Sequence, residues 1–337
     1  MKKLLTVAAA IMISAMYMSA QMMPDSTVQV CAYWAKGDHA EYQCKSHVTK
    51  ELPDGTVENV SSTSELRIFD VVEETDSSYV LKTSYKDVFS SLFSLQLGAE
   101  VFNKIAEADY FYTLTNELGT PQNIINIEET IESMREFIPL CIESSLSKYS
   151  KQQLKQAGID KQALIDNLTA SLCSPEAVTK SCSADVIPLL NYHGARLKLD
   201  KEYTYRQILS DVMGTGDMEV ETRFWVDKEL TDSTAVLIRS YTEVGADRMM
   251  PYIKQVALNY IQSLGNSEVS AATEKEIDAL ISEGKMSATM EEYSAVCVDL
   301  ASGWPALCWT KRIIAVDNEG QKTSTVSETE IEYNSEE

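Results

Sequence analysis

The sequence predicts an α+β protein built from two related antiparallel sheet units, each covered by helices, with a helical connector between them. Three observations carry this. First, a ten-residue stretch recurs: Asp76-Ser77-Ser78-Tyr79-Val80-Leu81-Lys82-Thr83-Ser84-Tyr85 returns 156 residues later as Asp232-Ser233-Thr234-Ala235-Val236-Leu237-Ile238-Arg239-Ser240-Tyr241, with six of ten positions identical. Second, each copy sits in a run of alternating apolar and polar residues, the period of a half-buried strand. Third, an apolar pattern of helical spacing follows each copy.

In the first unit, Val28 to Trp34 alternates, Gly37-Asp38 turns, and Tyr42 to Val48 continues as a strand. Pro53-Asp54-Gly55 is a strong turn signal, and it leads into a long strand from Val57 to Val72. Tyr79 to Tyr85 completes a four-strand meander. Val88, Leu92, Leu95, Ala99, Phe102 and Ala106 then fall at helical spacing. Because its remaining positions include Phe89, Phe93, Leu97 and Val101, this helix is apolar almost all round, the pattern of a buried helix or of one lining a cavity. Strand character resumes at Tyr110 to Thr115 and at Asn123 to Ile127.

Residues 128–190 read as the helical connector, serving as a brace or a lid. Asp160 can cap a helix carrying Leu164, Leu168 and Leu172, and Ser174-Pro175 starts another with proline at its first position. Pro139 is expected to kink or end the helix that begins near Glu128. The second unit, 191–337, repeats the scheme. Val220 to Val226 and Ala235 to Tyr241 are strands, and Met250, Ile253, Ala257, Tyr260 and Leu264 mark a helix. A further helix lies near Glu274 to Glu283. Strands at Tyr293 to Leu300, Pro305 to Val316 and Thr323 to Tyr333 end the unit, which thus mirrors the first unit, 21–127.

The first twenty residues read as a signal peptide. Lys2-Lys3 is a basic start, Leu4 to Met16 an apolar core too short to span a bilayer, and Ser19-Ala20 a small-residue cleavage site before Gln21. No later segment has the continuous apolar length of a spanning helix, so the mature chain is expected in the periplasm or outside the cell, with no transmembrane segment. The formal charge is −22; losing Lys2 and Lys3 leaves 27 basic against 51 acidic residues, or −24. That charge, with no basic stripe, argues against nucleic acid as a partner.

Seven cysteines in an exported chain suggest disulfides. Cys31 and Cys44 are symmetric about Gly37-Asp38, Cys297 and Cys308 about Ser302-Gly303, and Cys173 and Cys182 flank a helix start. Directly opposed strand residues approach closely enough to bridge, whereas a β-bulge near Gly303 would turn Cys297 and Cys308 to opposite faces. The three histidines, His39, His47 and His193, have no ligand spacing, so neither metal nor cofactor is expected. No GxSxG elbow, HExxH or P-loop is present. Trp304, in the Gly303-Trp304-Pro305 turn, is a candidate for an exposed binding aromatic.

With its Lys-Lys leader, Gln21 after the cleavage point and the Gly303-Trp304-Pro305 hairpin, the chain resembles the uncharacterised secreted α+β proteins of Gram-negative gut bacteria over most of its mature length. In architecture alone it is similar to periplasmic lipoprotein-carrier half-barrels, which hold acyl chains between sheet and helices. The leading expectation is an exported, non-enzymatic binding protein. It would hold a small apolar or lipid-like ligand at Phe89, Phe93, Leu97 and Trp304, or dock an envelope protein. The alternatives are a secreted hydrolase using paired carboxylates and a structural or surface protein-interaction module. The leader makes one direct prediction: the intact mass of the exported protein corresponds to a chain beginning at Gln21, and a mass that retains Met1 contradicts it.

Overall fold

The computed structural model describes residues 22–23, 25–86, 110–147, 149–156, 160–210, 217–232, 234–263 and 267–334. Among them the strands are β1 (Met22–Met23), β2 (Thr27–Gln29), β3 (His39–Glu51), β4 (Val57–Thr75), β5 (Ser78–Lys86), β6 (Tyr110–Asn116), β7 (Pro121–Ile124), β8 (Arg196–Lys198), β9 (Glu202–Ser210), β10 (Asp217–Val226), β11 (Ala235–Val244), β12 (Met286–Asp299), β13 (Pro305–Asn318) and β14 (Gln321–Tyr333). The helices are α1 (Ile127–Leu146), α2 (Lys151–Gln156), α3 (Lys161–Leu172) and α4 (Pro175–Leu190), which lie between β7 and β8, then α5 (Ala246–Ser263) and α6 (Ser267–Ser282), between β11 and β12.

The strands do not divide into two sheets each covered by helices. Eleven form one antiparallel sheet in the order β7-β6-β5-β4-β3-β14-β13-β12-β11-β10-β9, and β1, β2 and β8 form a small second sheet. The chain meanders outward from β3 to β7, crosses to the far edge through the helices, and meanders back from β9 to β14. The last strand then pairs with β3 over ten residues, with Ile331 opposite Cys44 and Tyr333 opposite Tyr42. That seam merges the two expected units into one.

The repeated decapeptide lies on β5 and β11, the third strand of each meander, but its side chains do not play the same parts. Leu81 is opposite Val71 and fully buried, and Tyr85 is opposite Arg67 on the helix-bearing face. In the second copy Val236 and Ile238 are the fully buried residues, so Leu237 and Tyr241 point to the other face. A one-residue change of phase flips every side chain of a strand. The identities therefore preserve strand character and not the packing role.

The helix-bearing face of the sheet supports two apolar clusters. The larger joins Tyr42, Phe69, Val71, Leu81, Ile238, Val296 and Ile331 of the sheet to Val178, Cys182, Val186, Leu189 and Leu190 of α4. Their spacing of three and four residues puts them on one stripe of α4. Ser174 caps α4 by accepting from the Ala177 N–H, with Pro175 at the first helical turn, and Asp160 caps α3 through the Gln162 and Ala163 N–H groups. Helix α1 runs through Pro139 without ending there. The leucine stripe of α3 is not core: Leu164 and Leu172 are exposed. The smaller cluster packs Met249, Met250 and Ile253 of α5 on Val220, Val244, Met290 and Ile314. A polar lock also holds α4: buried Arg67 donates to the Asp185 carbonyl at 2.7 Å and pairs with the Asp185 and Glu65 carboxylates, and the Tyr85 hydroxyl donates to Asp185.

All seven cysteines are unbridged. Cys31 is not on a strand beside Cys44, because β3 begins only at His39, and Cys44 stands opposite Glu65 and Ile331 instead. The hairpin pair fails through register. Cys297 is opposite Leu307 and Cys308 opposite Val296, with a bulge between Cys297 and Val298, so the two thiols face opposite sides of the sheet. Cys173 ends α3 and Cys182 lies inside α4; both are buried as thiols. Cys308 donates to the Pro188 carbonyl in the last turn of α4, where carbonyls lack helical partners. Burial pushes its pKa up to about 12 and that of Cys44 up to about 11, which keeps both thiols protonated and unreactive.

The segment expected as a strand from Val28 to Trp34 leaves the sheet after Gln29 and runs as an irregular ribbon. Its hydrogen bonds go to three separate turns. Val30 N–H donates to the Ala195 carbonyl at 3.1 Å, and Val30 accepts from Gly194 N–H at 2.8 Å. Ala32 N–H donates to Leu118 at 3.0 Å and Tyr33 N–H to Ser302 at 3.1 Å. The ribbon passes so close to Gly303 (φ +77°) that a Cβ there would lie 2.2 Å from the Cys31 carbonyl oxygen. Gly55 has a similar φ of +81° and open space around it. Gly55→Ala is thus expected to cost about 1 kcal/mol of backbone strain, and Gly303→Ala about 3 kcal/mol or more through an added backbone clash. Urea unfolding of the two variants measures the difference, and equal losses would contradict the clamp.

Candidate binding site

On β10 to β14 the residues facing the helices follow one scheme at alternate positions: apolar, polar, polar or aromatic, apolar. They read Val220, Thr222, Phe224, Val226 on β10 and Val244, Thr242, Ser240, Ile238 on β11. On β12 they are Met290, Glu292, Ser294, Val296; on β13, Ile314, Arg312, Thr310, Cys308; on β14, Thr325, Ser327, Thr329, Ile331, where Thr325 alone breaks the scheme. Strand register aligns them into two continuous rows. One row is Tyr205, Thr222, Thr242, Glu292, Arg312 and Ser327. The other is Tyr203, Phe224, Ser240, Ser294, Thr310, Thr329 and Ser46 of β3. The result is a polar strip across seven strands, about 29 Å long at the usual strand spacing. The α4 cluster lies along one side and the α5 cluster along the other.

The strip's polar groups answer one another. Thr222 and Thr242, both buried, share a hydrogen bond of 2.6 Å, and Gln207 Nε2 donates to Thr222 at 2.7 Å. The hydroxyls of Ser240 and Ser294 are 2.6 Å apart, and Thr329 donates to Ser46 at 3.1 Å. Arg312 donates from Nε to Glu292 Oε2 at 2.6 Å, with Nη2 at 2.6 Å from the same oxygen. These two are the strip's charges, and they cancel. At the β9 end the rings of Tyr203 and Phe224 stack at 5.2 Å and 24°, Tyr205 meets Phe224 edge-on at 5.4 Å, and Tyr192 lies 5.5 Å away. Burial, then the Glu292 carboxylate, raises the Tyr205 phenol above its ordinary pKa. Apart from the buried threonine pair, the strip is half-buried, and residues 323–329 of β14 are half-buried on both faces.

The residues singled out from sequence lie elsewhere. Phe89, Phe93 and Leu97 fall outside the described residues. Trp304 is buried, not exposed: it stacks on Trp34 with centroids 4.3 Å apart and an angle of 20°, at the meeting point of the ribbon and the β12–β13 turn. His193 closes that cluster. Its Nε2 donates to the Gly303 carbonyl at 2.7 Å, and its ring lies 5.5 Å from Trp34. Paired carboxylates do occur on the face opposite the described helices, where Glu243 is directly across from Glu291. They stand beside Tyr241 and Tyr293, whose rings are 5.0 Å apart. Among the described residues no group of three His, Cys, Asp or Glu side chains can hold a metal ion, and no helix is long and apolar enough to cross a membrane. Sequence reading missed the strip. Its signal was present as two polar residues between apolar ones on three of the strands, with Phe224 and Thr325 departing from that on β10 and β14, but only register turns the five patterns into a row.

No family model and no curated protein matches the chain. Among solved structures it is matched to the crystal structure of Ail, the attachment invasion locus protein of Yersinia pestis, at 6% identity over 89% of this chain and 99% of that one, with a TM-score of 0.14. That score is too low to indicate a common fold.

The buried histidine makes the clamp sensitive to acid. Burial, only partly offset by the Gly303 carbonyl, lowers the His193 pKa from 6.5 to about 4. The unfolded chain therefore takes up the proton first, so this contribution to stability is complete above pH 6.5 and is lost as pH falls toward 4. Between pH 7 and pH 5 the expected loss is about 2 kcal/mol. Urea midpoints across that interval, compared with His193→Gln, isolate it: the variant starts less stable and loses less. An equal loss in both proteins contradicts the assignment.

Proposed function

We propose that this chain is an exported, non-enzymatic binding protein that holds an extended, uncharged polar ligand along the strip. One observation carries the reading. Five adjacent strands interrupt the apolar face of the sheet at the same level with polar or aromatic side chains. Placing hydroxyls and an ion pair where the flanking rows are apolar costs stability in proportion to the desolvation involved. Folding alone does not call for that arrangement, since four of the five strands carry apolar side chains one step above and below. A row of short hydroxyl side chains, each both donor and acceptor, suits a ligand that supplies the remaining partners.

Several features favour binding over catalysis and a polar ligand over an apolar one. The Glu292 carboxylate is tied to Arg312, and among the described residues neither histidine nor cysteine belongs to the two rows. The apolar rows on either side are occupied by side chains of α4 and α5. Export rests on Lys2-Lys3, the apolar run to Met16 and the small residues before Gln21.

NMR titration of the mature protein with sorbitol, N-methylacetamide and dodecanoate tests this. Sorbitol or N-methylacetamide is expected to shift resonances of Ser240, Ser294 and Thr310. Ser294→Val is expected to abolish those shifts while its urea midpoint stays within about 1 kcal/mol of the parent, because the new side chain joins apolar neighbours on the same strand. Shifts from dodecanoate alone, or polar-probe shifts confined to the opposite face of the sheet, contradict the proposal.

A further inference from the structure

We infer that the strip's ligand is a neutral oligosaccharide; this rests on the binding reading above.

Anionic ligands are disfavoured. The strip's cation, Arg312, is already paired with Glu292, and the chain carries −22. A polyanion would bring charge with no free partner into a field of its own sign. A peptide fits poorly for a different reason. Extended peptides bind sheets by adding to an edge, where backbone donors and acceptors are open. Among the described strands the edges are β7 and β9; the strip reaches an edge only at Tyr203 and Tyr205, and on its other six strands only side chains are presented. Its groups are mainly hydroxyls, which complement other hydroxyls in either direction.

A sugar chain matches the remaining features. The Glu292–Arg312 pair uses one carboxylate oxygen, Oε2, and two guanidinium nitrogens, Nε and Nη2. That leaves Oε1 as an acceptor and Nη1 as a donor outside the pair. Ser240, Ser294, Thr310 and Thr329 form the adjacent hydroxyl row. At the β9 end the half-buried rings of Tyr203 and Tyr205 offer apolar surface for the C–H face of a sugar, the property for which aromatic side chains with one polar end are suited. Lys201 lies 4.7 Å over the Tyr203 ring on a flexible side chain, so Tyr205 is the ring we assign to stacking. A strip of about 29 Å accommodates several sugar rings in line.

The experiment titrates the mature protein with maltohexaose, cellohexaose, laminarihexaose and chitohexaose, followed by calorimetry and by NMR. A neutral Gly-Ser dodecapeptide and dodecanoate serve as competitors of other classes. At least one hexasaccharide is expected to bind and to shift Ser240, Ser294 and Thr310. Tyr205→Leu is expected to weaken that binding about tenfold, and Tyr205→Phe, which keeps the ring, to stay within about threefold. Glu292→Gln paired with Arg312→Gln keeps the strip uncharged but removes the fixed donor-acceptor pair, and it too should weaken binding about tenfold. Urea midpoints establish that each variant is folded, and Tyr205→Phe carries the comparison if Tyr205→Leu does not fold. If the peptide shifts the strip and no hexasaccharide does, the sugar assignment falls and strip binding stands. If dodecanoate alone shifts it, or no probe does, both fall.

Discussion

The fold is held together by the ribbon from Val30 to Trp34. Its backbone bonds reach the turn after α4, the β6–β7 turn and the β12–β13 turn, three places distant in sequence. Its last side chain, Trp34, stacks on Trp304 and contacts Tyr79 and His193. Close passage is possible only because Gly119 and Gly303 lack side chains: a Cβ on Gly119 would lie 2.6 Å from the Ala32 Cβ. The ribbon thus fixes the ends of hairpins from both meanders against the end of α4. With those points fixed, α4 lies across the sheet, Arg67 reaches Asp185, and one border of the polar strip is set.

Local structure was legible to a large degree and global pairing was not. The long strands, the capping residues Asp160 and Ser174 and the helices between β7 and β8 follow from nearest-neighbour chemistry that any window of sequence contains. The seam between β14 and β3 joins residues nearly three hundred positions apart, and nothing in either strand encodes the other. The repeat also misled. It marks Ser78–Lys86 and Ala235–Val244, which are both strands of the one sheet, yet a shift of phase puts Leu81 in the core and Leu237 on the opposite face. The cysteine pair failed for a related reason. Symmetry about Ser302-Gly303 assumes a regular hairpin, and the bulge between Cys297 and Val298 adds the one residue that undoes it.

The candidate site illustrates the same limit. Thr222, Ser240, Ser294 and Thr310 are unremarkable as single residues, since short polar side chains are common on strands. Their meaning comes from lying at one level in the sheet, and that level is a property of five registers at once. Trp304 shows the converse. An aromatic beside glycine and proline in a turn reads as exposed, but the ribbon covers that turn, and the ring becomes part of the core.

On the proposed reading, stability and recognition occupy different zones of one face. The apolar rows bordering the strip are closed by α4 and α5 and hold the helices in place. The rows between them contribute less to folding, because each hydroxyl or ion pair there exchanges water for a partner at little net gain. Such a level can vary in side chain without loosening the helices on either side, provided the borders remain apolar. A single large sheet permits this separation where two small ones would not. It takes several strands in register to make a strip long enough for an extended ligand, and enough sheet above and below it to anchor a helix on each side.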